Sequence, residues 1–320
     1  MRTRFQILGP VSMFHEEQDV GIGFPKQRFL LAVLLAEAGS PLRTARLIER
    51  LWGDGPPASA RNALYTYVAQ LRGALAPYGT ELVRRHGGYT LDVPPDSVDL
   101  HRFHALISAA KQAQDGGEGR EHAAERKLAL LTEALDLHRG TPLEGLTTPW
   151  SEALRVRVAA DRRWALLSRN GILLRCGRHA EIVSELTGAT AAAPLDEPLA
   201  AQLMLALHRS GRRAAAVQHY HRVREALARE LGVPPGAPLQ RAYQRLLHDD
   251  PLVPAPQVPL RKIPYAGQAP HGAAGPHGGP SPYGASGPHG VASPHGAQSA
   301  HGARVPYAVR STGPAPAVGR

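Results

Sequence analysis

The clearest hydrophobic pattern lies in residues 58–93. Four apolar side chains recur at helical spacing and predict a helix over residues 58–76 with one inward face: Leu64, Val68, Leu71 and Leu75. Two short apolar runs flank Gly87 and Gly88, which predicts a hairpin because glycine adopts the positive φ of a tight turn. Either element alone is usually an ordinary surface element. Together they predict a helix followed by a β-hairpin wing.

The pattern before residue 58 predicts strands and two further helices. Strand-like runs cover residues 5–8 and 20–23, and an apolar stripe predicts a helix over residues 25–38. A second, short helix is predicted after Thr44, a possible N-cap residue. The predicted order of elements is therefore strands, helix, helix, helix and hairpin.

Residues 97–250 have helical patterning throughout. The segments RCGRHA (175–180) and RSGRRA (209–214) carry the same short pattern, displaced by 34 residues. That displacement is the tetratricopeptide period, in which stacked helix pairs leave a groove suited to a partner or to self-association. Because only two copies are visible, a generic helical bundle stays open as an alternative.

The last segment, residues 251–320, is dominated by proline, glycine, alanine and histidine and is predicted to be disordered. It repeats proline-histidine-glycine or proline-tyrosine triplets every six residues. A low-complexity linker is the plainest interpretation. Weak transition-metal binding by the histidines, or attraction to DNA as they protonate, are the alternatives.

Length and charge limit the classes of partner. A chain of 320 residues is long enough for about two domains, and its formal net charge of +10 favours a polyanionic partner such as nucleic acid, an anionic membrane or an acidic protein. The longest apolar stretch, residues 29–36, is far too short to span a bilayer, so we expect a cytoplasmic protein without a membrane partner. The single cysteine, Cys176, excludes an intramolecular disulfide. Residues 251–320 hold five basic residues and no acid, so the net charge alone does not establish DNA binding.

Three motifs carry a resemblance to a known family: PLRTARLIERLWGD (41–54), ARNALYTYVAQLR (60–72) and HGGYTL (86–91). In combination they resemble the Streptomyces antibiotic regulatory protein (SARP) family. The resemblance implies an α+β N-terminal winged helix-turn-helix of the OmpR type over residues 1–96. It further implies an all-α, tetratricopeptide-like bacterial transcriptional activation domain over residues 97–250. It leaves the tail, residues 251–320, uncovered.

A winged helix would place residues 58–76 in the major groove, where each base pair shows a distinct pattern of donors and acceptors. Four polar side chains are then the candidate base readers: Asn62, Tyr65, Thr66 and Gln70. Two arginines are expected to hold phosphates, namely Arg61 and Arg72. Gln70 favours an A·T position, although Ala69, Gln70 and Gly73 stand where family members commonly have serine or basic residues.

Four further residues are expected to contact the DNA outside the major groove. Arg85 and Arg84 would reach the adjacent minor groove or its phosphates. Arg43 and Thr44, before the second helix, would touch the DNA backbone. The family resemblance also implies direct repeats in promoter DNA, a homodimer on that DNA, contact with RNA polymerase holoenzyme, and control of an antibiotic or other secondary-metabolite gene cluster.

Other function classes fit the sequence less well. It contains no phosphate-binding G-x-x-x-x-G-K-[ST] loop, no H-E-x-x-H and no G-x-S-x-G, so we expect neither an enzyme nor a cofactor or metal site. A response regulator is disfavoured because no receiver-domain pattern precedes the winged helix. The main alternative is a tetratricopeptide-like interaction scaffold without specific DNA binding.

Overall fold

The structure, a computed structural model, describes residues 3–85, 87–113 and 120–248, with the side chains of 120 and 121 left aside. The segment predicted to be disordered, residues 251–320, lies outside these described residues. The repeated triplets of that segment, and the interpretations attached to them, therefore stay predictions.

The N-terminus forms a three-stranded antiparallel sheet in the order β1-β2-β3, with strands β1 (Thr3–Gln6), β2 (Ser12–His15) and β3 (Gln18–Val20). The sequence predicted strands at 5–8 and 20–23 and missed β2. Only Met13 of β2 is buried, so this strand lacks a strong apolar alternation. The turn between β2 and β3 uses Glu16 and Glu17 at positive φ, where glycine or asparagine would have signalled a hairpin.

Three helices and a short strand follow: α1 (Pro25–Ala36), β4 (Leu42–Arg43), α2 (Thr44–Trp52) and α3 (Ala60–Leu75). All three predicted helices are present, but α1 ends two residues earlier than predicted. The prediction that Thr44 is an N-cap is wrong. Arg43 occupies the N-cap position with extended backbone, and Thr44 is the first residue of α2.

The predicted wing is present as the hairpin of β5 (Glu81–Arg85) and β6 (Gly88–Asp92), and β4 pairs with β6 in a sheet of order β4-β6-β5. Gly87 lies in the tight turn at a φ of 75°. Gly88 is required for a different reason, because a Cβ atom there would lie 2.4 Å from the carbonyl oxygen of Leu42. Because Gly88 has no side chain, β4 can pair with β6 and so connect the wing to the start of α2.

The remainder of the described chain is helical, as predicted. Seven helices follow one another: α4 (Asp99–Gln112), α5 (Arg120–Asp136), α6 (Pro149–Arg175), α7 (Val183–Ala192), α8 (Glu197–Arg209), α9 (Arg213–Leu231) and α10 (Ala237–Leu247). Neighbouring helices pack against one another, and α7, α9 and α10 all contact α8. This packing is the stacking expected of a tetratricopeptide-like array.

The two copies of the sequence repeat form equivalent turns. Gly177 after α6 and Gly211 after α8 have φ values of 73° and 75°. In the first turn the Arg178 amide donates to the Leu173 carbonyl at 2.9 Å, and in the second the Arg212 amide donates to the Leu207 carbonyl at 2.9 Å. Corresponding atoms are thus 34 residues apart throughout, and the period seen in the sequence is a structural period.

The winged-helix region and the helical region share one continuous hydrophobic core. At one junction the Thr148 hydroxyl, just before α6, donates to the carbonyl of Arg50 on α2 at 3.0 Å. The Arg50 guanidinium lies 5.0 Å from the ring centre of Trp150 and pairs with Glu37 at 2.5 Å. At a second junction the buried carboxylate of Asp99 accepts the amides of Ile7 and Leu8 at 2.9 Å. The domain limits at 96 and 250 stay predictions.

Candidate nucleic-acid interface

Helix α3 presents one apolar and one polar face, as the sequence predicted. Leu64, Val68, Leu71 and Leu75 are all buried. Asn62, Thr66, Ala69 and Gly73 lie opposite them and are exposed. Because two of these four outward residues are alanine and glycine, little side-chain bulk separates the α3 backbone from whatever this face contacts.

Two candidate base readers, Asn62 and Thr66, are one helical turn apart on the exposed face. The Thr66 hydroxyl donates to the Asn62 carbonyl at 3.1 Å and leaves its lone pairs free to accept. Tyr65 is 41% exposed at the side of the same face. Arg61 is exposed in the first turn, where a long cation can reach beyond the helix end. The structure therefore brings four predicted contact residues to one surface.

Gln70 is held in place by a residue that the sequence analysis did not single out. Its Oε1 atom accepts a hydrogen bond from the Nε2 atom of Gln27, which is only 7% exposed. Gln27 is itself fixed, because its Oε1 atom accepts the amide of Phe24 at 2.9 Å. Bidentate pairing of Gln70 with adenine would require its Oε1 atom to accept two hydrogen bonds at once. Because an amide oxygen has two lone pairs, the second lone pair of Oε1 and the Nε2 donor would serve such a contact.

Arg72 connects α3 to the wing. Its Nε atom donates to the carbonyl of Leu82 on β5 at 2.7 Å, and its guanidinium lies 5.8 Å from the ring centre of Tyr89 on β6. The prediction that Arg72 holds a phosphate is untested. Its terminal nitrogens can still make such a contact, but the Nε bond gives Arg72 a structural role that helical spacing alone does not indicate.

A cation and two aromatic rings fix α2 against its neighbours. The Lys26 ammonium donates to the Leu51 carbonyl at 3.0 Å and lies 5.3 Å from the ring centre of Trp52. Trp52 in turn stacks on Tyr67 of α3, with ring centres 6.2 Å apart. These contacts join α1, α2 and α3. The packing therefore fixes the position of α3 and of its exposed face.

The tip of the wing is basic and its base is acidic. Arg84 and Arg85 are both exposed at the end of β5. Glu81 and Asp92 face each other at the opposite end of the same hairpin. Positive charge is therefore concentrated at the tip. The tip would attract a polyanion, and the acidic end of the hairpin would be repelled by it.

Arg43 and Thr44 lie beside the wing. Arg43 is exposed and pairs in register with Gly88 of β6, while Thr44 begins α2 and is half-buried. All ten predicted contact residues thus lie on β4, at the start of α2, on α3 or on β5. Within the described residues no group of histidine, cysteine or acidic side chains could hold a metal ion, and no helix is long and apolar enough to cross a membrane.

Comparison with known proteins assigns both parts of the chain. Residues 23–91 match the family "transcriptional regulatory protein, C terminal", and residues 98–247 match the bacterial transcriptional activator domain. The regulatory protein DnrI of Streptomyces peucetius is 35% identical over 268 residues, covering 80% of this chain and 97% of DnrI. The chain belongs to the SARP family of transcriptional regulators.

Other SARP-related proteins extend the match. The regulatory protein AfsR of Streptomyces coelicolor is 43% identical over 251 residues, which cover 78% of this SARP chain but only 25% of AfsR. The solved structure of Mycobacterium tuberculosis EmbR, in complex with a low affinity phosphopeptide, is 33% identical with a TM-score of 0.69, covering 78% of this chain and 66% of EmbR. The predicted winged helix followed by an all-helical domain is thereby confirmed.

Proposed function

We propose that this SARP-family regulator is a sequence-specific DNA-binding transcriptional activator of a secondary-metabolite gene cluster, such as an antibiotic cluster. The observation that carries the proposal is the exposed polar face of α3 beside an arginine-tipped wing. On this proposal the protein binds direct repeats in promoter DNA and recruits RNA polymerase holoenzyme. It acts in the cytoplasm, at the nucleoid.

The major groove of B-DNA is wide enough for one α-helix, and α3 fits it with its outward face towards the bases. Asn62, Tyr65, Thr66 and Gln70 would contact base edges. Arg61 would hold a phosphate, which fixes the register of the protein on the duplex without reading its sequence. The single methyl group of Ala69 and the absence of a side chain at Gly73 support this assignment because they permit close approach.

The wing and the start of α2 would contact DNA on either side of α3. Arg84 and Arg85 would enter the minor groove or hold its phosphates, and Arg43 and Thr44 would touch the backbone. The concentration of positive charge at the wing tip supports this orientation. Two copies on successive direct repeats would form the homodimer on DNA, with the helical domains joining them and contacting the polymerase.

Genomic footprinting of the full chain and of two variants tests the proposal. We expect sharp occupancy over a direct repeat near one biosynthetic cluster. Asn62→Ala should weaken binding by about tenfold to a hundredfold and relax specificity at one base pair, since a good base contact contributes about 1–3 kcal/mol of discrimination. The matched control Arg241→Ala changes an exposed residue of α10 and should leave the footprint intact.

A second function, an interaction scaffold without specific DNA binding, is favoured by one observation. The equivalent turns at Gly177 and Gly211 show a true helical repeat, and such repeats commonly bind proteins. Uniform weak occupancy of the genome, unchanged by Asn62→Ala, would support the scaffold and contradict the activator.

A further inference from the structure

A cleft of about 460 Å³ lies between α7, α8 and α9 of the helical domain. Its floor is apolar and includes Leu203 and Leu207 of α8 and Val223 of α9. Its polar lining includes Arg212 and Arg222. The volume falls within the range of ordinary ligand sites, and the combination of apolar floor and basic rim is selective for an anion with apolar parts.

The two arginines of this cleft are available for a ligand. Both are exposed, and among the described residues neither makes an ion pair. No aspartate or glutamate belongs to the described lining of the cleft. By contrast, the nearby exposed cation Arg163 is paired with Asp196. No acidic side chain of the described lining neutralises these two cations, so a bound anion would do so.

A buried histidine adds an unused donor beneath these cations. His219 is 6% exposed and lines the cleft. A terminal nitrogen of Arg222 lies 3.3 Å from its Nδ1 atom, which must therefore accept, so the neutral ring carries its proton on Nε2. Nε2 has no hydrogen-bond partner among the described residues. Burial lowers the pKa of His219 to about 4, assisted by the Arg222 charge, which keeps the ring neutral at physiological pH.

The cleft continues into a second one and is elongated as a result. The second cleft, of about 600 Å³, is lined by Val183 and Ser184 of α7 and by Ser210, and it shares Thr187 and Arg212 with the first. Its described lining also contains no acidic residue. A compact ligand is usually enclosed on most of its surface, whereas two adjoining open clefts that share Thr187 and Arg212 fit an extended chain.

We propose that this trough, formed by the two clefts on either side of Arg212, binds an acidic peptide segment of a protein partner in an extended conformation. Arg212 and Arg222 pair with its carboxylates, and its apolar side chains rest on Leu203, Leu207 and Val223. The proposal does not depend on DNA binding, because no residue of the winged helix lines the trough.

Fluorescence polarisation with the full chain tests the proposal. The probe is a short labelled peptide of alternating glutamate and leucine, and its uncharged counterpart has glutamine for glutamate. We expect the acidic probe alone to bind, and Arg212→Ala and Arg222→Ala each to weaken it about tenfold, the scale of a hydrogen bond to a charged group. Arg224→Ala is the matched control, because Arg224 is an exposed cation on the same helix that does not line either cleft.

Four results would overturn the proposal. Equal binding of the acidic and uncharged probes would exclude charge recognition. Equal weakening by Arg224→Ala would mean that only the net positive charge attracts the probe. Displacement of the probe by inorganic phosphate at constant ionic strength, or an equal loss of duplex DNA binding in the Arg212 and Arg222 variants, would assign the arginines to phosphate instead of to a peptide. Circular dichroism of each variant establishes that its helices are intact.

Discussion

Replacing Arg72 with methionine, followed by measurement of folding stability, tests its structural role independently of any contact with DNA. The substitution keeps the apolar stem but removes both the 2.7 Å hydrogen bond to the Leu82 carbonyl and the guanidinium beside Tyr89. A hydrogen bond from a charged donor contributes about 1.5–3 kcal/mol, and an exposed cation over a ring about 0.5–1 kcal/mol. Because Arg72 is exposed, we take the low end and expect a loss of about 2 kcal/mol in unfolding free energy.

Thermal denaturation measures this loss. For a chain of this size about 2 kcal/mol lowers the Tm by about 4–8 °C. The control is Arg61→Met, on the same helix, which removes an exposed cation with no intramolecular contact described and should leave the Tm unchanged. The salt dependence of DNA binding is measured in parallel, and Arg61→Met should reduce the log-log slope by about one unit. An unchanged Tm for Arg72→Met would refute a structural role in holding the wing.

Three further outcomes are expected. Arg85→Ala should weaken DNA binding and reduce its salt slope by about one unit if one phosphate contact is lost; an unaltered salt series would contradict the wing assignment. Gly88→Ala should destabilise the wing, because its Cβ would meet the Leu42 carbonyl at 2.4 Å, and faster amide exchange in β6 would reveal this. Burial lowers the pKa of His138 to about 4, so the unfolded chain binds more protons between pH 6.5 and 4. Urea denaturation should therefore show that lowering the pH from 6.5 to 4 costs the wild-type protein about 1–2 kcal/mol more unfolding free energy, after solvent screening, than it costs His138→Gln.

Elements whose apolar spacing is strong could be predicted from the sequence. The inward face of α3, the helical character of residues 97–250 and the repeat turns at Gly177 and Gly211 were all predicted and are all present. Each depends on local periodicity, which short-range backbone geometry determines. β2 was missed because one buried residue in four gives no period, and its turn uses two glutamates in an unusual conformation.

The side-chain partners of the candidate interface could not be predicted in the same way. The hydrogen bond between Gln27 and Gln70 joins positions 43 residues apart, and the bond from Arg72 to Leu82 crosses from helix to strand. Both depend on how separate elements pack, which no local pattern encodes. The sequence predicts which residues of α3 are exposed. Only the fold shows which of them already make hydrogen bonds within the protein.

Helix α6 connects the winged-helix region with one end of the trough. Its first turn is fastened to α2 through Thr148, Arg50 and Trp150, and its 27 residues make a rod about 40 Å long. Its far end leads through the Gly177 turn and a short 3-10 helix (His179–Ile182) into α7, one wall of the trough. A tilt of about 5° at the fastened end would displace the other end by about 3.5 Å over that length. If promoter binding shifts α2 and α6 moves as a rigid rod, α7 would therefore be displaced by about one atomic diameter.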